Sequence, residues 1–348
     1  MKIAPIHREM QKTGSIEPIL IHTGQHYDER MSKLFFNDLH MPKPDEFLGV
    51  GSGSHAEQTA KVMLEFEKVC QKYDPDMVVV VGDVNSTLAC SIVASKLWIP
   101  VAHVEAGLRS FDRKMPEEIN RLVTDSISDV LFVSEPNGEI NLKNEGVDPA
   151  KMHYVGNVMI DSLINFMEAA ESSNIMNELS LKENDFMLVT LHRPSNVDEP
   201  ESFERILSAF KVIAEDIEIV FPMHPRTQKN IELFGMKEKV DSIKNLKIVP
   251  PLGYLDFIQL EKKCRFVITD SGGLQEETTY LGKPCLTARE NTERPITVQI
   301  GTNEIVGTNT ELIIQYTKQI LSNNWKKGEI PKYWDGKTAE RITKILSK

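Results

Sequence analysis

The feature that most constrains the fold is an alternation of short apolar runs with amphipathic stretches along the chain. The apolar runs occupy residues 16–24, 77–83, 99–107, 130–135, 185–192, 217–225, 246–252 and 265–273. Short β-branched runs that end in Gly, Asp or Ser are typical of parallel strands buried on both faces. The stretches between them, such as residues 56–73 and 86–97, have helical spacing. This pattern predicts parallel sheets covered by helices, the doubly wound α/β class.

One polar segment, residues 165–186, interrupts the alternation and has no strand pattern. A chain of 348 residues is long for one hydrophobic core and suits two. We therefore predict two Rossmann-like domains, residues 1–165 and residues 166–348, with the last helix packing back on the first domain. Ligands bind beyond the carboxyl ends of strands in such sheets, so two facing domains predict a site in the cleft between them.

The composition excludes several classes of protein. A formal net charge of −11 argues against a protein that holds nucleic acid through its overall charge. No apolar run approaches the roughly 20 residues of a membrane helix, and the first residues do not resemble a secretory signal. The four cysteines are widely spaced and fit neither a zinc site nor a disulfide framework. We therefore expect a cytoplasmic protein with reduced thiols.

The segment ITDSGGLQEE, residues 268–277, joins a predicted strand to a predicted helix. Its Ser271, Gly272 and Gly273 would present free N–H groups at the positive end of a helix dipole, an arrangement that binds phosphate. Glu277, one turn later, could accept hydrogen bonds from ribose hydroxyls. Together they predict a nucleotide site. The alternative is a glycine turn followed by an ordinary acidic helix start, and the local motif leaves both open.

Three carboxylates stand near the ends of strands in the first half of the chain. Asp83 directly follows one apolar run, and Glu105 lies inside the next, where a charge is costly unless it is paired or works as an acid or base. Glu117 begins a predicted helix. The structural alternatives are a helix cap for Asp83, an ion pair with Arg109 or Arg113 for Glu105, and a solvated first turn for Glu117.

Two histidines follow strands in the second half. His192 stands beside Arg193, and His224 is two residues before Arg226. A single histidine at the end of a strand is more often structural. Two of them, each close to an arginine, favour a binding or catalytic task. The pattern suggests that the first half supplies acid and base groups and that the second half holds the nucleotide.

Several segments, read in order, resemble the non-hydrolysing UDP-N-acetylglucosamine 2-epimerases. They are GDVNSTLA, HVEAGLRSFDRKMPEEINR, VGNVMIDSL, TLHRPSNVD, PMHPRT, TDSGGLQEE, LGKPCLTARENTERP and GTN. The resemblance extends over essentially the whole chain. It implies the glycosyltransferase-B architecture and the interconversion of UDP-GlcNAc and UDP-ManNAc, without a nicotinamide cofactor or an obligatory metal. It also implies a homodimer.

The resemblance assigns residues to roles. Those matching the family's acid, base and sugar-handling positions are Asp83, Glu105, Glu117 and His192. Those matching its UDP-binding positions are His224, Ser271, Gly272, Gly273, Glu277 and Arg289. The segment with Gln25 and His26 matches a region that helps bind a second, activating UDP-GlcNAc in bacterial relatives, and Arg193 is a further candidate there. Which carboxylate acts as base and which as acid stays open.

The resemblance also implies a first strand and a Gly-Thr-Arg-Pro-Glu turn ahead of the position that Lys2 matches. Residues 1–14 have a helical pattern instead. We therefore expect a sheet that lacks a central strand, and we expect the natural protein to begin upstream. Two other functions stay open: a glycosyltransferase on the same fold, and a UDP-sugar binder that is non-catalytic or impaired by the missing strand.

Overall fold

The computed structural model describes residues 1–25 and 41–348. The chain divides into two compact units, the first formed by Met1–Ile164 and Lys332–Lys348 and the second by Asn165–Pro331. Every strand pair in both units is parallel. The predicted α/β class is therefore confirmed.

The first unit contains two parallel sheets. Its elements are α1 (Ile3–Thr13), β1 (Ile21–His22), β2 (Glu46–Phe47), α2 (His55–Tyr73), β3 (Val78–Val81), α3 (Asn85–Lys96), β4 (Val101–Ala106), α4 (Pro116–Ile127), β5 (Val130–Val133), α5 (Pro136–Asn144), a 3₁₀ turn (Pro149–Lys151), β6 (Met152–Tyr154) and the start of α6 (Val158–Ala170). One sheet has the order β3-β4-β5-β6, and the other consists of β1 and β2. The carboxyl ends of β3, β4 and β5 therefore share one edge, where candidate site residues lie.

The helices of the first unit cover both faces of its sheets. On one face, Val78 and Val80 of β3 pack with Phe66 of α2. On the other, Val104 of β4 packs with Ile6 of α1. The final helix, α16 (Thr338–Leu346), belongs to this unit and packs against α1 through the same cluster. Burial on both faces explains why these strands are continuously apolar.

The second unit is built on a single six-stranded parallel sheet. Its elements are α7 (Ile175–Glu178), β7 (Phe186–Thr190), α8 (Pro194–Val197), α9 (Pro200–Ile213), β8 (Glu218–Pro222), α10 (Pro225–Leu233), α11 (Lys237–Asp241), β9 (Leu246–Val249), α12 (Tyr254–Lys263), β10 (Phe266–Thr269), α13 (Gly272–Leu281), β11 (Cys285–Thr287), α14 (Pro295–Gln299), β12 (Asn303–Ile305) and α15 (Thr310–Leu321). The strand order is β12-β11-β10-β7-β8-β9. Thr190 of β7 is in register with Thr269 of β10, so the residues that follow these two strands are neighbours.

The predicted strands are all present, each with shorter bounds than predicted. Residues 16–24 form only the two-residue strand β1. The strands β2, β6, β11 and β12 were not predicted, because runs of two or three residues carry too little alternation to be distinguished from loops. Within residues 1–25 and 41–348, no helix is long and apolar enough to cross a membrane.

Candidate functional site

Glu105 lies at the end of β4 in an unusual backbone conformation. Its φ is +73°, in the left-handed region, and the pairing of β4 with β5 shifts register between Val104 and Ala106. Such a bulge redirects a side chain at the rim of a sheet. The buried Glu105 carboxylate accepts a hydrogen bond from Lys2 Nζ at 2.5 Å. A buried ion pair was the expected structural alternative for Glu105, with Arg109 or Arg113 as the partner; the partner seen here is Lys2.

A buried ion cluster supports this end of β4. Asp125 of α4 contacts His103 Nδ1 at 2.6 Å and Arg109 at 2.7 Å. His103 also donates from Nε2 to the carbonyl oxygen of Gly82 at 2.8 Å. Burial works against a charge on His103, but the Asp125 carboxylate outweighs it and raises the pKa of the imidazole. The cluster ties β4 to the turn that carries Asp83.

The side chain of Asp83 contacts a residue of α4 and does not cap a helix. Its carboxylate forms an ion pair with Arg121, and the N-cap position of α3 is occupied by Val84 without a side-chain cap. The helix-cap alternative is therefore wrong. A side-chain carbon at the neighbouring Gly82 would lie 3.9 Å from Glu105 Oε2. Asp83 and Glu105 are thus brought to the same edge of the sheet.

Arg121 is fixed by a second carboxylate, Glu118, at 2.6 Å. Burial alone would raise the pKa of Glu118, but hydrogen bonds from the Ser110 backbone and from Arg121 outweigh it and hold the pKa low. Glu117 lies half-buried in the first turn of α4, four residues before Arg121 and so on the same face of that helix. The third candidate carboxylate of this unit therefore lies on the side of α4 that carries the partner of Asp83.

Gln25 is buried beyond the end of β1. Its side-chain oxygen accepts hydrogen bonds from Ser86 N at 3.0 Å and from Ser86 Oγ at 2.6 Å. This binds the segment after β1 to the first turn of α3. His26, the other residue predicted in this segment, lies outside the described residues.

In the second unit, the buried carboxylate of Asp270 organises the residues that follow β7. It contacts His192 Nδ1 at 2.9 Å and accepts the backbone N–H groups of His192 and Arg193 at 3.0 and 2.9 Å. Asn196 donates to it at 3.0 Å. Burial raises the pKa of Asp270, but His192 and these hydrogen bonds outweigh it and lower the pKa. The His192 side chain, about 56% exposed, is left open to solvent.

The predicted phosphate turn begins α13. Ser271 is the N-cap residue, and Gly272 and Gly273 are the first helical residues. The first N–H groups of a helix have no partner within it and favour anions. A Cβ at Gly272 would lie 2.9 Å from a carboxylate oxygen of Glu293. A larger residue at this position would therefore have to displace the Glu293 carboxylate.

Three arginines surround the Glu293 carboxylate close to this turn. Arg289 contacts it at 2.7 Å, Arg294 at 3.3 Å and Arg193 at 3.8 Å. Arg294 also donates to Glu276 at 2.7 Å. Planar guanidinium groups suit bidentate binding of phosphate. The cluster adds positive charge beside the start of α13.

Glu277 is buried in α13 and accepts a hydrogen bond from the Tyr254 hydroxyl at 2.9 Å. Burial is the largest influence on it and raises its pKa to about 7, with the Glu276 carboxylate acting in the same direction. Such a group can take or release a proton near neutral pH. Its side chain is positioned by α12, which carries Tyr254.

His224 caps the amino end of a helix. It is the N-cap of α10, and its Nδ1 accepts a hydrogen bond from Arg226 N at 3.2 Å. The side chain is exposed, so its Nε2 edge is open to a ligand.

Several residues at these sites were not predicted from the sequence. They are Lys2, Glu118, Arg121, Asp270, Glu293 and Arg294. Their partners are mostly distant in the chain, as in the Lys2–Glu105 pair, which spans 103 positions. The one available signal was the position of Asp270 at the end of an apolar run. In the part of the chain that the structure describes, no three His, Cys, Asp or Glu residues are grouped to hold a metal ion.

Comparison with known proteins gives the family. A family model described as UDP-N-acetylglucosamine 2-epimerase matches residues 8–347. A UDP-N-acetylglucosamine 2-epimerase of Methanocaldococcus jannaschii is 46% identical, with 100% of this chain and 95% of that protein covered. A UDP-2,3-diacetamido-2,3-dideoxy-D-glucuronate 2-epimerase of Pseudomonas aeruginosa is 40% identical, with coverage of 100% and 96%.

A solved structure agrees. The crystal structure of M. jannaschii UDP-GlcNAc 2-epimerase in complex with UDP-GlcNAc and UDP has a TM-score of 0.90 at 46% identity, and the comparison covers 99% of this chain and 96% of that one. The predicted family resemblance is therefore confirmed: this chain belongs to the UDP-N-acetylglucosamine 2-epimerase family.

Proposed function

We propose that this protein interconverts UDP-GlcNAc and UDP-ManNAc by inverting C2 of the sugar. A base removes the C2 proton, the C1–O bond breaks and UDP leaves with its electron pair, which gives 2-acetamidoglucal. A proton then returns to C2 on the opposite face, and UDP adds back at C1. The protons and the UDP removed in the first half are restored in the second, so no oxidant or reductant is consumed.

The observation that carries this proposal is that Asp83 and Glu105 follow or end neighbouring parallel strands, β3 and β4, at one edge of the sheet in a member of the epimerase family. Elimination and re-addition at C2 require groups that exchange protons on both faces of the sugar. Lys2 forms an ion pair with Glu105, and Arg121 forms one with Asp83. With Glu117 and His192, these residues form our proposed acid, base and sugar-handling set.

The second unit is proposed to hold UDP. The N–H groups of Ser271, Gly272 and Gly273 would bind the diphosphate, assisted by Arg289. Glu277, already oriented by Tyr254, would accept hydrogen bonds from the ribose hydroxyls. His224 would contribute its exposed ring edge. Tight binding of UDP matters because UDP must stay bound to the enzyme after its bond to the sugar has broken.

We further propose that a second UDP-GlcNAc activates the enzyme through the region of Gln25, His26 and Arg193. The related M. jannaschii enzyme was crystallised with both UDP-GlcNAc and UDP, which supports a protein that accommodates two nucleotides. Initial rates that rise sigmoidally with UDP-GlcNAc are expected. A hyperbolic curve at every concentration would contradict an activating site.

We also propose a cytoplasmic homodimer. The four cysteines are all unpaired and buried, which suits a reducing compartment. The dimer follows from the family, and light scattering should give twice the 39.4 kDa mass of the chain. A monomer mass at working concentration would overturn it.

Product analysis tests the proposed reaction. Incubation with UDP-GlcNAc should yield UDP-ManNAc without added nicotinamide cofactor or metal. The same assay should include UDP-2,3-diacetamido-2,3-dideoxy-D-glucuronate, because a relative at 40% identity is named for that sugar. If only UDP-2,3-diacetamido-2,3-dideoxy-D-glucuronate is converted, that sugar nucleotide is the substrate and UDP-GlcNAc is not. If conversion requires an added sugar acceptor, the protein is a glycosyltransferase.

A further inference from the structure

Phe111 has an unusual conformation in the loop that follows β4. The loop lies between Glu105, at the end of that strand, and Glu117, in the first turn of α4. The Phe111 side chain is 77% exposed, and its φ is +59°, in the left-handed region. For a bulky residue this conformation is rare and costs free energy. Residues held in such conformations are frequent where a protein binds a ligand.

A buried carboxylate holds the backbone of Phe111 in place. Glu118 accepts hydrogen bonds from Phe111 N at 2.8 Å and from Ser110 N at 2.9 Å, one at each of its oxygens. The Ser110 hydroxyl also donates to Glu118, at 3.1 Å. Because Glu118 is buried, the loop is fixed from inside the protein while the aromatic ring stays outside.

The next residues of the loop form a turn of their own. Asp112 accepts a hydrogen bond from Lys114 N through its side chain and from Met115 N through its carbonyl oxygen, each at 3.0 Å. Aspartate commonly stabilises turns in this way. A ring carried on a preformed loop loses little conformational freedom when it meets a ligand. Phe111 is therefore well supported as a binding residue.

Glu118 also connects Phe111 with the proposed chemistry. It forms an ion pair with Arg121 at 2.6 Å, and Arg121 forms one with Asp83. Two side chains thus join the Phe111 N–H group to the Asp83 carboxylate. This series of contacts lies at the carboxyl ends of β3 and β4, the edge of the sheet where Glu105 also lies. The loop therefore carries its ring at the edge where we propose that the sugar reacts.

An exposed aromatic ring suits the sugar of the proposed substrate. The diphosphate needs N–H groups and cations, which the second unit offers at the start of α13. A pyranose ring presents C–H groups on its faces, and such apolar surface packs on aromatic rings. The intermediate 2-acetamidoglucal has a C1–C2 double bond, which flattens this surface. It is also the one sugar of the proposed reaction that is not bonded to UDP, so it needs contacts of its own.

We propose that the Phe111 ring packs against the sugar and retains 2-acetamidoglucal between elimination and re-addition. This inference rests on the proposed epimerase function. Phe111 transfers no proton; it acts by contact with the sugar ring. Without that contact, the glucal leaves the enzyme more often before UDP adds back to it. Free UDP and free 2-acetamidoglucal then accumulate beside UDP-ManNAc.

The variant Phe111→Gly removes the ring and preserves the loop. Glycine adopts a φ of +59° without strain. The hydrogen bond to Glu118 comes from the backbone N–H group, so the substitution keeps it. Since the ring is mostly exposed, its loss uncovers no core. A thermal melt should give a midpoint at or above that of the wild-type protein.

Trp98 offers a matched control. It is also aromatic, 93% exposed and in the left-handed region, at φ +62°. It lies between α3 and β4, before the amino end of the strand rather than beyond its carboxyl end. Trp98→Gly therefore makes the same kind of change away from the proposed sugar site. Its product ratio and its ligand affinities should equal those of the wild-type protein.

Proton NMR during the first turnovers of UDP-GlcNAc measures the fate of the intermediate. In Phe111→Gly, the ratio of free 2-acetamidoglucal to UDP-ManNAc should rise at least tenfold. Phe111→Tyr, which keeps an aromatic ring, should give a ratio near that of the wild-type protein. An unchanged ratio in Phe111→Gly, or an equal rise in Trp98→Gly, would overturn the proposal.

Calorimetry tests the same contact through binding. Phe111→Gly should bind UDP-GlcNAc at least fivefold more weakly than the wild-type protein does, and it should bind UDP equally well. Unchanged affinity for UDP-GlcNAc, or an equal loss for UDP, would contradict a contact with the sugar. A lower mass of Phe111→Gly in light scattering would place the ring between two copies of the chain and would also overturn the proposal.

The two measurements separate this inference from the proposed function. A wild-type protein that forms no UDP-ManNAc would contradict the epimerase function, and the calorimetric comparison would still decide whether Phe111 contacts the sugar. A wild-type protein that forms UDP-ManNAc, with Phe111→Gly equal to it in product ratio and affinity, would leave the function standing and remove Phe111 from the site.

Discussion

At the scale of single residues, Glu277 offers the sharpest test of the UDP half-site. Replacing it with Ala removes a charged acceptor, which should weaken UDP binding by roughly 1.5–3 kcal/mol. Calorimetry would measure this, with Glu311→Ala, an exposed carboxylate of α15, as control. Unchanged affinity in a folded Glu277→Ala protein would remove this residue from the site.

The pKa of Glu277 predicts a pH dependence. The unfolded chain loses this proton near pH 4.5, whereas the folded protein holds it until about pH 7. Glu277 therefore lowers the free energy of unfolding as pH rises through that window. Because the ionised form is the better acceptor, UDP affinity should rise over the same window. Burial is the main cause of the raised pKa; the Tyr254 hydroxyl lowers it and the Glu276 carboxylate raises it further. Burial also raises the pKa of Glu261, a carboxyl group that interacts with Glu277.

Calorimetric titrations from pH 6 to 8 would measure the dependence. UDP has titrating phosphate groups of its own, so the Glu277→Gln variant supplies the baseline. The wild-type protein should show a rise that exceeds the rise in the variant. Identical pH profiles would contradict a titrating Glu277 in the nucleotide site.

Asp83 tests the proton-transfer half-site. Asp83→Asn is nearly isosteric but accepts a proton poorly, so turnover should fall by about 10²-fold or more. Asp76→Asn, a change in an exposed carboxylate just before the same strand, should leave turnover unchanged. A thermal melt separates loss of chemistry from loss of the ion pair with Arg121. A near wild-type rate in Asp83→Asn would make Asp83 only a structural partner of α4.

At the scale of elements, the end of β4 depends on close contact with α5. Gly107 has φ +81°, and a Cβ there would lie 2.4 Å from the carbonyl oxygen of Gly138. Gly107→Ala should therefore cost more than about 4 kcal/mol of stability. Gly14→Ala, at φ +63° with no atom within 4 Å, should cost only about 1–2 kcal/mol. Equal denaturation midpoints for the two variants would contradict this account of the turn.

The elements also show where sequence reasoning succeeds. The strand β4 was predicted because residues 99–107 are apolar and end in Gly. The bulge at Glu105 could not be predicted, because it depends on pairing with β5 and on support from Lys2 and Asp125. Local propensity gives the existence of a strand, whereas tertiary contacts determine where its last side chain points.

At the scale of the whole molecule, the alternating pattern was sufficient for the parallel α/β class, because a buried parallel sheet requires continuous apolar runs separated by helices. The membership of residues Lys332–Lys348 in the first unit follows from contacts such as the hydrogen bond of Trp334 with the carbonyl oxygen of Ser134, and from the place of Ala339 and Ile342 in the same hydrophobic cluster as Val104. Ion pairs such as Asp83–Arg121 could not be predicted, since residues 38 positions apart carry no shared local signal. The position of the candidate site could therefore be predicted from strand ends and motifs. The ion pairs and hydrogen bonds that hold its residues could not.

The most direct test of the central claim is proton NMR of UDP-GlcNAc incubated with the protein in D₂O. Epimerisation by elimination and re-addition predicts that deuterium enters C2 while UDP-ManNAc forms, and that the Asp83→Asn protein slows both together. Line broadening without exchange would show a UDP-sugar binder, and formation of UDP-ManNAc that kept its C2 proton would contradict the proposed chemistry.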